Sequence, residues 1–321
     1  GELMSTKLFT LLLQERNIEV QLLPALEFMR TNEDHEPDLE YISKHLQAKI
    51  DQFANCGLFI TQGYICKNHK GEIDNLQRGG SDYTASLVGA AIRADEVQIW
   101  TDIDGMHNND PRVVDKTYPI AELSFDEAAE LAYFGAKILH PASIWPAQKY
   151  GIPVKLLNTM QPEAKGTVIS TSTISADVKA VAAKDGITAI KVKSTRMLLA
   201  YGFLRRIFEI FEKYKTPIDM ITTSEVAVSV TIDHDEFLDK IVAELSQFGQ
   251  VEVDKGQTII CIVGNFVAEQ KGIVSNIFDA LKDTPIRMIS YGGSRHNISL
   301  LTDSTNKEHA LKVLNQHLFN L

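Results

Sequence analysis

Apolar and polar residues alternate with two different periods in the first half of the chain. Apolar positions with the spacing of one helix face occupy residues 4–16, 38–53, 82–93 and 125–139. Short apolar runs typical of buried strands occupy residues 20–23, 57–65, 97–105 and 152–159. Ser124 precedes the last helix as its predicted N-cap. Strands that alternate with helices predict a mainly parallel, helix-covered sheet, whose ligands bind at the carboxyl ends of the strands.

The pattern changes near residue 160 and then repeats itself. Residues 160–177 are rich in serine and threonine, which indicates a connection. The first copy has the predicted order βαββαβ, with strands at 187–194, 218–222, 226–232 and 251–254 and helices at 202–214 and 235–247. Strands at 258–264, 286–290 and 297–302, with helices at 270–282 and 306–318, give βαββα. A spare strand at 178–183 precedes the first copy, and we expect it to complete the second, so that two α/β repeats interleave.

Composition narrows the possible partners. The 321 residues are 44% apolar and 23% charged, as in globular proteins of two or three domains. A formal net charge of −10 argues against nucleic acid or an anionic membrane as a partner, because phosphate binding needs clustered Lys and Arg. No run approaches the roughly 18 apolar residues of a membrane span. Cys56, Cys66 and Cys261 lack the spacing of a metal site, which predicts no bound metal and reduced thiols in the cytoplasm.

The segment LQRGGSDYTA (76–85) carries the first candidate chemistry. Its glycines precede a predicted helix, where backbone N–H groups and the helix dipole favour an anion. Arg78 adds a planar guanidinium suited to a carboxylate or phosphate, and Ser81 can cap the helix or donate to a ligand. Asp82 would repel an anion unless it holds a cation such as a lysine or magnesium. A structural alternative explains the same residues as a turn with an N-cap serine and a helix-dipole aspartate.

A second group of polar residues follows the predicted strand at 97–105. In WTDIDGMHNNDPR (100–112), three aspartates lie in one loop with an arginine, as in a nucleotide and metal loop. A solvated turn accounts for the same residues, because Asp, Asn, Gly and Pro favour turns. In FGAKILHP (134–141), Lys137 lies late in a helix, where a cation is also favourable for structural reasons. His140 is expected to be a structural loop histidine.

In this order the segments resemble those of the aspartokinases. GLFITQGYI, RGGSDYTA, WTDIDG, NNDPR and FGAKILHPA are similar to the second half of their kinase domain. IDMITTSEVAVSVTID and IRMISYGGSRHNISLL are similar to their paired ACT regulatory domains. The resemblance implies an α/β amino-acid-kinase fold, here partial, followed by two interleaved ACT units of the ferredoxin-like type. It implies kinase residues at 1–165, a connection with the exchanged strand at 166–186, and ACT units at 187–256 and 257–321.

The resemblance also implies an activity and the residues that perform it. ATP, as its Mg²⁺ complex, would phosphorylate the β-carboxylate of L-aspartate to 4-phospho-L-aspartate, the first step of lysine, threonine and methionine biosynthesis. Asp82 would be catalytic, because it would organise the active-site lysines. The implied aspartate-binding residues are Glu2, Tyr64, Arg78 and Ser81. The implied nucleotide-binding residues are Thr101, Asp102, His107, Arg112 and Lys137.

A regulatory amino acid is implied as well. Backbone N–H groups at a helix N-terminus would hold its carboxylate, and Asp219 would hold its α-ammonium. Glu225 would face a side-chain ammonium, which suits lysine better than threonine or methionine. The implied effector-binding residues are Met197, Gly202, Phe203, Leu204, Asp219, Thr223, Ser224 and Glu225. The alternative is that Asp219 and Glu225 are solvated strand-end carboxylates. The relatives dimerise through their ACT domains, which implies a homodimer.

One part of the family pattern has no counterpart in the chain. Aspartokinases open with a Lys-Phe-Gly-Gly-Thr-Ser segment that supplies a catalytic lysine, whereas this chain begins with GELMST. We therefore expect an incomplete kinase domain and a weak or inactive chain, whose longer parent is the enzyme. The alternative is a protein of another functional class, a non-catalytic regulatory subunit that binds an amino acid and pairs with a complete kinase.

Overall fold

The chain folds into two compact units, which are described separately. The computed structural model describes residues 1–77, 79–135, 139–171, 178–194, 201–265 and 267–321. The first unit comprises Gly1–Met106 and Pro119–Ile174, and the second comprises His107–Tyr118 and Ser175–Leu321. The predicted domain boundary at residue 165 stays a prediction. Within the described residues, no helix combines the length and the apolar character needed to cross a membrane.

The first unit is built on short sheets with helices between their strands. Its helices are α1 (Glu2–Glu15), α2 (Leu39–Asp51), α3 (Gly80–Ile92), α4 (Phe125–Phe134) and α5 (Pro141–Tyr150). Its strands are β1 (Gln21–Leu22), β2 (Phe59–Ile60), β3 (Ile65–Lys67), β4 (Ile73–Asn75), β5 (Val97–Thr101), β6 (Glu122–Ser124), β7 (Val154–Asn158) and β8 (Thr167–Ser170). A four-stranded sheet has the order β5-β7-β8-β6, with β5–β7 and β6–β8 parallel and β7–β8 antiparallel. The α/β class is confirmed, with a mixed sheet.

Local sequence signals explain where several of these elements begin and end. Ser124 caps α4 as predicted, and the Glu127 carboxylate reaches back to accept from the Ser124 N–H at 2.7 Å, which completes a capping box. Gly135, with φ at 152°, ends α4, so the predicted helix 125–139 is too long. The sequence pattern does not predict α5 or β8. Pro146 lies inside α5, and β8 lies in the serine- and threonine-rich stretch interpreted as a connection.

The second unit contains one six-stranded sheet and four helices in its described part. The strands are β9 (Val178–Lys193), β10 (Ile221–Thr223), β11 (Ala227–Ile232), β12 (Gln250–Gly264), β13 (Met288–Ser290) and β14 (Asn297–Asp303). The helices are α6 (Phe203–Lys213), α7 (Leu238–Leu245), α8 (Ile273–Ala280) and α9 (Lys307–Phe319). The strand order is β10-β11-β9-β12-β14-β13. It joins two βαββαβ repeats, as the sequence predicts.

The interleaving of the two repeats is confirmed by the strand register. The first half of β9 pairs with the second half of β12, with Val178 opposite Gly264 and Lys184 opposite Ile259. The spare strand thus completes the second repeat. One expectation was wrong: the strands predicted as separate at 178–183 and 187–194 form one long strand, as do those at 251–254 and 258–264. Positive φ angles at Gly186 and Gly256 allow each long strand to bend where the pairing register shifts.

Each repeat buries its own core beneath two helices. Helices α6 and α7 cover a cluster that includes Ile207, Phe211 and Ile241. Helices α8 and α9 cover a second cluster, which includes Ile277 and Leu311. These amphipathic helices bury one apolar face on the sheet, which explains why the helical spacing in the sequence predicts them.

Candidate active site

The N-terminus of α3 is formed by two glycines that neighbouring residues approach closely. Gly79 is the N-cap residue, with φ at 67°, and a Cβ at this position would lie 2.7 Å from the His140 Cβ. A Cβ on Gly80 would lie 2.6 Å from the Tyr64 ring atom Cδ2. Neither position has room for a side chain, so the two glycines of the RGGSD motif allow the first turn of α3 to pack against both neighbours.

Tyr64 is fixed against this helix by backbone hydrogen bonds. It has a positive φ of 71°, which is unusual for a residue with a large side chain. Its N–H donates to the Thr84 hydroxyl oxygen at 3.0 Å, and that hydroxyl donates to the Gly80 carbonyl at 2.7 Å. The Leu76 N–H donates to the Tyr64 carbonyl at 2.8 Å. The Tyr64 turn and the α3 N-terminus therefore form one rigid element.

Ser81 and Asp82 lie in the first turn of α3. In the described part of the chain no side chain caps this helix, and the N-cap position belongs to Gly79. The structural alternative of an N-cap serine is therefore wrong, and the exposed Ser81 hydroxyl lies where it can contact a ligand. Burial raises the pKa of the Asp82 carboxyl above its ordinary value. A raised pKa indicates a carboxylate that a cationic partner would stabilise.

Glu2 is linked to the same region through Gln62, a residue that the sequence pattern does not single out. Gln62 is 1% exposed, and its Nε2 donates to the Thr6 hydroxyl oxygen at 2.8 Å. The Thr6 hydroxyl in turn donates to the Glu2 carbonyl at 2.8 Å. The Gln62 Oε1 accepts from the Ala25 N–H at 2.8 Å. One buried amide directly before the Gly63–Tyr64 turn thus ties that turn to the first turn of α1.

Thr101 and Asp102 mark the carboxyl end of β5. Thr101 lies opposite Asn158 of the parallel strand β7, and its hydroxyl donates to the Asp102 carboxylate at 3.1 Å. Helix α3 leads directly into β5, and Gly89 near the end of α3 approaches Val97 at the start of β5. Because a helix that connects parallel strands returns antiparallel to them, we expect the α3 N-terminus at the edge of the sheet where β5 ends. Ligands bind at this edge in open α/β sheets.

The remaining described nucleotide candidates, His107 and Arg112, lie in the second unit. The His107 Nδ1 is 2.9 Å from the Thr117 hydroxyl. Arg112 donates from Nε and Nη2 to the two Asp110 carboxylate oxygens at 2.9 and 2.8 Å. These hydrogen bonds lower the pKa of the Asp110 carboxyl. The predicted nucleotide residues are thus divided: Thr101 and Asp102 belong to one unit, and His107 and Arg112 belong to the other.

Most of the predicted effector residues lie at one end of the first repeat. Gly202, with φ at 77°, begins α6, where Phe203 is buried and Leu204 is 38% exposed. Thr223 is the last residue of β10, and Ser224 and Glu225 lie in the exposed turn between β10 and β11. Because Ala227 after this turn lies opposite Lys193, the turn is at the end of β9 that leads toward α6.

Asp219 lies at the opposite end of the same repeat. Its N–H donates to the Thr231 carbonyl at 2.9 Å, and its carboxylate accepts from the Lys184 ammonium at 2.8 Å. The Lys184 ammonium also contacts the Asp233 carboxylate at 2.8 Å. The Asp219 side chain is 1% exposed, so it is not a solvated strand-end carboxylate. Within one chain it does not meet the Thr223–Glu225 turn, and its predicted contact with an effector stays a prediction.

Comparisons with known proteins identify the family. Residues 1–158 match the amino acid kinase family, and residues 260–318 match the ACT domain. The lysine-sensitive aspartokinase 3 of Escherichia coli K12 is 38% identical over 331 residues, which cover 99% of this chain and 74% of that protein. The chain belongs to the aspartokinase family.

Solved aspartokinase structures have the same fold over nearly the whole chain. The structure of E. coli aspartokinase III in complex with aspartate and ADP matches with a TM-score of 0.87 at 38% identity. The structure of the same enzyme in complex with lysine and aspartate matches with a TM-score of 0.85 at 39% identity. Each match covers 99% of this chain and 74% of the other chain. The predicted combination of an amino-acid-kinase fold with ACT units is therefore confirmed.

Three of the residues predicted from the aspartokinase motifs, Arg78, Lys137 and Met197, lie outside the described residues. Conversely, the structure shows two residues beside the candidate site that the sequence does not indicate. Thr84 accepts from the Tyr64 N–H, and Gln62, directly before the Gly63–Tyr64 turn, bonds to Thr6 and to the Ala25 N–H. Gln62 lies inside the motif GLFITQGYI, so the sequence places it next to the candidate site. Its hydrogen-bond partners Thr6 and Ala25 are far away in sequence, so the motif does not reveal its role. His140 is the N-cap residue of α5 and lies beside Gly79, and its expected structural role stays a prediction.

Proposed function

We propose that the protein is an aspartate kinase that transfers the γ-phosphoryl group of ATP to the β-carboxylate of L-aspartate. The products are 4-phospho-L-aspartate and ADP, and the reaction is the first step of lysine, threonine and methionine biosynthesis. The observation that carries this proposal is the α3 N-terminus: the Gly79–Gly80 turn places Ser81 and Asp82 in the first turn of a helix that leads into β5. The likeness to an aspartokinase structure in complex with aspartate and ADP supports it.

The residues of the candidate site suit a reaction that depends on position and charge. A β-carboxylate oxygen of aspartate attacks the γ-phosphorus, and the bond from that phosphorus to the bridging β-phosphate oxygen breaks. Ser81 and Tyr64 would hold the aspartate, together with Glu2. Asp82 would orient a lysine ammonium toward the transferring group, and that ammonium would lower the pKa that burial raises. Phosphoryl transfer needs such positioning and charge neutralisation more than it needs a proton-transfer group.

The nucleotide would arrive as its magnesium complex. Mg²⁺ takes most of its ligands from phosphate oxygens and water, and only one or two from protein carboxylates. Asp82 and Asp102 are the carboxylates in the α3 first turn and at the end of β5. Thr101 and Asp102 would contact the nucleotide, and His107 and Arg112 are the further candidates in the second unit.

Lysine is the proposed effector. The E. coli relative is named as lysine-sensitive, and its structure has been solved with lysine bound. In this chain Thr223, Ser224 and the exposed carboxylate of Glu225 lie at the end of β9 that leads toward α6, whose N-terminus favours a carboxylate. Glu225 is thereby suited to the side-chain ammonium of lysine.

A homodimer through the ACT repeats is also proposed. Strands β10 and β13 form the two ends of the six-stranded sheet. Ile221 on β10 is 46% exposed and Ile289 on β13 is 43% exposed. The two strands approach each other within the chain without pairing, so the exposed apolar side chains, rather than a free strand edge, favour association with a second copy.

The proposal is tested by ATP-dependent formation of aspartyl hydroxamate, with and without lysine. The assay is run on this chain and on the full-length protein that contains it, because the chain spans 74% of the length of its E. coli relative. We expect activity in the full-length protein and inhibition by lysine. Asp82→Asn should lower kcat at least about 100-fold, whereas Asp95→Asn, at an exposed aspartate after α3, should change it less than about twofold.

Two further variants separate the effector site from catalysis. Glu225→Gln should weaken lysine inhibition about tenfold, because it removes one charge-assisted contact, and leave activity without lysine unchanged. Glu236→Gln, at another exposed glutamate of the same repeat, serves as its control. A full-length protein that binds lysine but forms no hydroxamate would refute the kinase proposal and support the alternative of a non-catalytic regulatory subunit.

A further inference from the structure

The segment His107–Tyr118, here called the inserted segment, folds as part of the second unit. The Asn108 N–H donates to the Tyr118 carbonyl at 3.1 Å, which closes the segment on itself. The Asn108 carbonyl accepts from the Val181 N–H of β9 at 2.8 Å. Val114, which is 6% exposed, packs in the core formed with α8 and α9. The segment is therefore held by backbone pairing on one side and by apolar burial on the other.

A single side chain on α9 makes the central polar contacts of the inserted segment. Asn315 is 1% exposed, and its Oδ1 accepts from the Nδ2 of Asn108 and from the Nδ2 of Asn109, each at 3.2 Å. Its Nδ2 donates to the Lys116 carbonyl at 3.0 Å. Asn109 also donates to the Leu311 carbonyl at 3.1 Å. Buried amides of this kind fix a geometry strongly, because each bond that is lost leaves a polar atom without a partner.

Two predicted nucleotide-binding residues are carried by this segment. His107 directly precedes the two asparagines, and its ring contacts the Thr117 hydroxyl within the segment. Arg112 follows them, and its N–H donates to the Asp110 carboxylate at 2.9 Å. Their positions relative to each other are thus set inside the segment, while Asn315 sets the position of the segment on α9. None of the predicted aspartate-binding residues belongs to the segment.

We propose that Asn315 is a positioning residue for the nucleotide: it holds the inserted segment on the last helix of the second ACT repeat, so that His107 and Arg112 are placed to bind ATP. The inference rests on the proposed function, because it takes His107 and Arg112 as nucleotide residues. It goes further, because it makes ATP affinity depend on a helix of the regulatory repeat. Loss of Asn315 then affects ATP binding and leaves aspartate binding intact.

The test compares variants of the full-length protein in two assays. Asn315→Ala is expected to raise the KM for ATP about tenfold and to change the KM for aspartate less than about twofold. Asn315→Asp keeps the acceptor contacts with Asn108 and Asn109, but it buries a carboxylate oxygen against the Lys116 carbonyl. We therefore expect a rise at least as large as that of Asn315→Ala. Gln316→Ala changes the exposed neighbour on α9 and is the matched control. The second assay measures binding of a fluorescent N-methylanthraniloyl derivative of ATP without aspartate.

A double substitution distinguishes positioning from a general loss of structure. Asn109→Ala removes one partner of Asn315 on the inserted segment. If Asn315→Ala does not fold, Asn109→Ala is measured in its place. If both act through the same contact, the double variant should raise the KM for ATP no more than the worse single variant does. The inference would be overturned if the rise in the KM for ATP in the double variant were the product of the rises in the two single variants. It would also be overturned if the variants folded and kept an unchanged KM for ATP.

The two assays separate this inference from the proposed function. A wild-type protein that forms no aspartyl hydroxamate would refute the proposed function. The inference would still be supported if that protein bound the fluorescent nucleotide and Asn315→Ala weakened the binding about tenfold. If the wild-type protein is active and Asn315→Ala binds the nucleotide as tightly as the wild type, the inference is refuted and the proposed function is supported.

Discussion

Gln62 offers a direct test of how the predicted aspartate site is assembled. Its amide joins the first turn of α1 to the turn at Gly63 and Tyr64, through Thr6 on one side and the Ala25 N–H on the other. The substitution Gln62→Leu keeps a similar side-chain volume and removes both hydrogen bonds. It therefore perturbs the polar contacts while creating little or no cavity.

The expected cost follows from the burial of the two partners. Ala25 is 0% exposed, so its N–H would be left in the interior without its acceptor, which costs about 1–3 kcal/mol. Loss of the bond to the partly exposed Thr6 hydroxyl adds about 0.5–1 kcal/mol. A total of about 1.5–4 kcal/mol corresponds to a fall in melting temperature of about 3–16 °C for a unit of this size. Because Glu2 and Tyr64 lose their common anchor, the KM for aspartate should rise about tenfold.

Circular dichroism melting and aspartyl hydroxamate kinetics measure the two effects. Gln47→Leu is the matched control, because the exposed Gln47 donates from Nε2 to the Asp51 carboxylate at 2.8 Å within α2. Such a surface contact contributes only about 0.2–0.5 kcal/mol. Equal melting shifts for the two variants would refute the structural reasoning. A destabilised Gln62→Leu variant with an unchanged KM for aspartate would refute the functional part alone.

Two further substitutions test charged groups. Asp82→Asn, which should lower kcat at least about 100-fold, should also raise the melting temperature at neutral pH. Burial raises the folded-state pKa of Asp82, so the stability of the wild-type protein falls as pH rises from the unfolded-state pKa to the folded-state pKa. The variant should lack this fall in a series of melting curves measured upward from about pH 3. An unchanged pH profile would contradict this. Lys184→Met removes the ammonium 2.8 Å from both Asp219 and Asp233 and should cost about 3–5 kcal/mol in urea unfolding. Lys191→Met, at an exposed pair, should cost under about 1 kcal/mol, and equal costs would refute the argument.

Much of the candidate site could be predicted from short segments of sequence. The glycines of RGGSD and the N-cap at Ser124 depend on residues close together in the chain, and the structure places both at the start of a helix. The strand predicted at residues 97–105 is present but ends earlier, at Thr101. The assignment of Ser81 as a cap is different, because the choice between Ser81 and Gly79 depends on which residue adopts the left-handed conformation. His140 approaches Gly79 and Tyr64 approaches Gly80, and no local pattern encodes these two approaches.

The sequence by itself determined most of the helices and strands, the family and the exchange of strands between the two repeats. These features follow from residue periodicity, from the order of the motifs and from counting elements. Only the tertiary structure decided that the inserted segment belongs to the second unit, that Asn315 anchors it, and that Gln62 anchors the Tyr64 turn. Asn109 and Asn315, for example, are 206 positions apart, yet their amides are in contact. A hydrogen bond depends on distance in space, and spacing along the chain carries no information about a partner so far away.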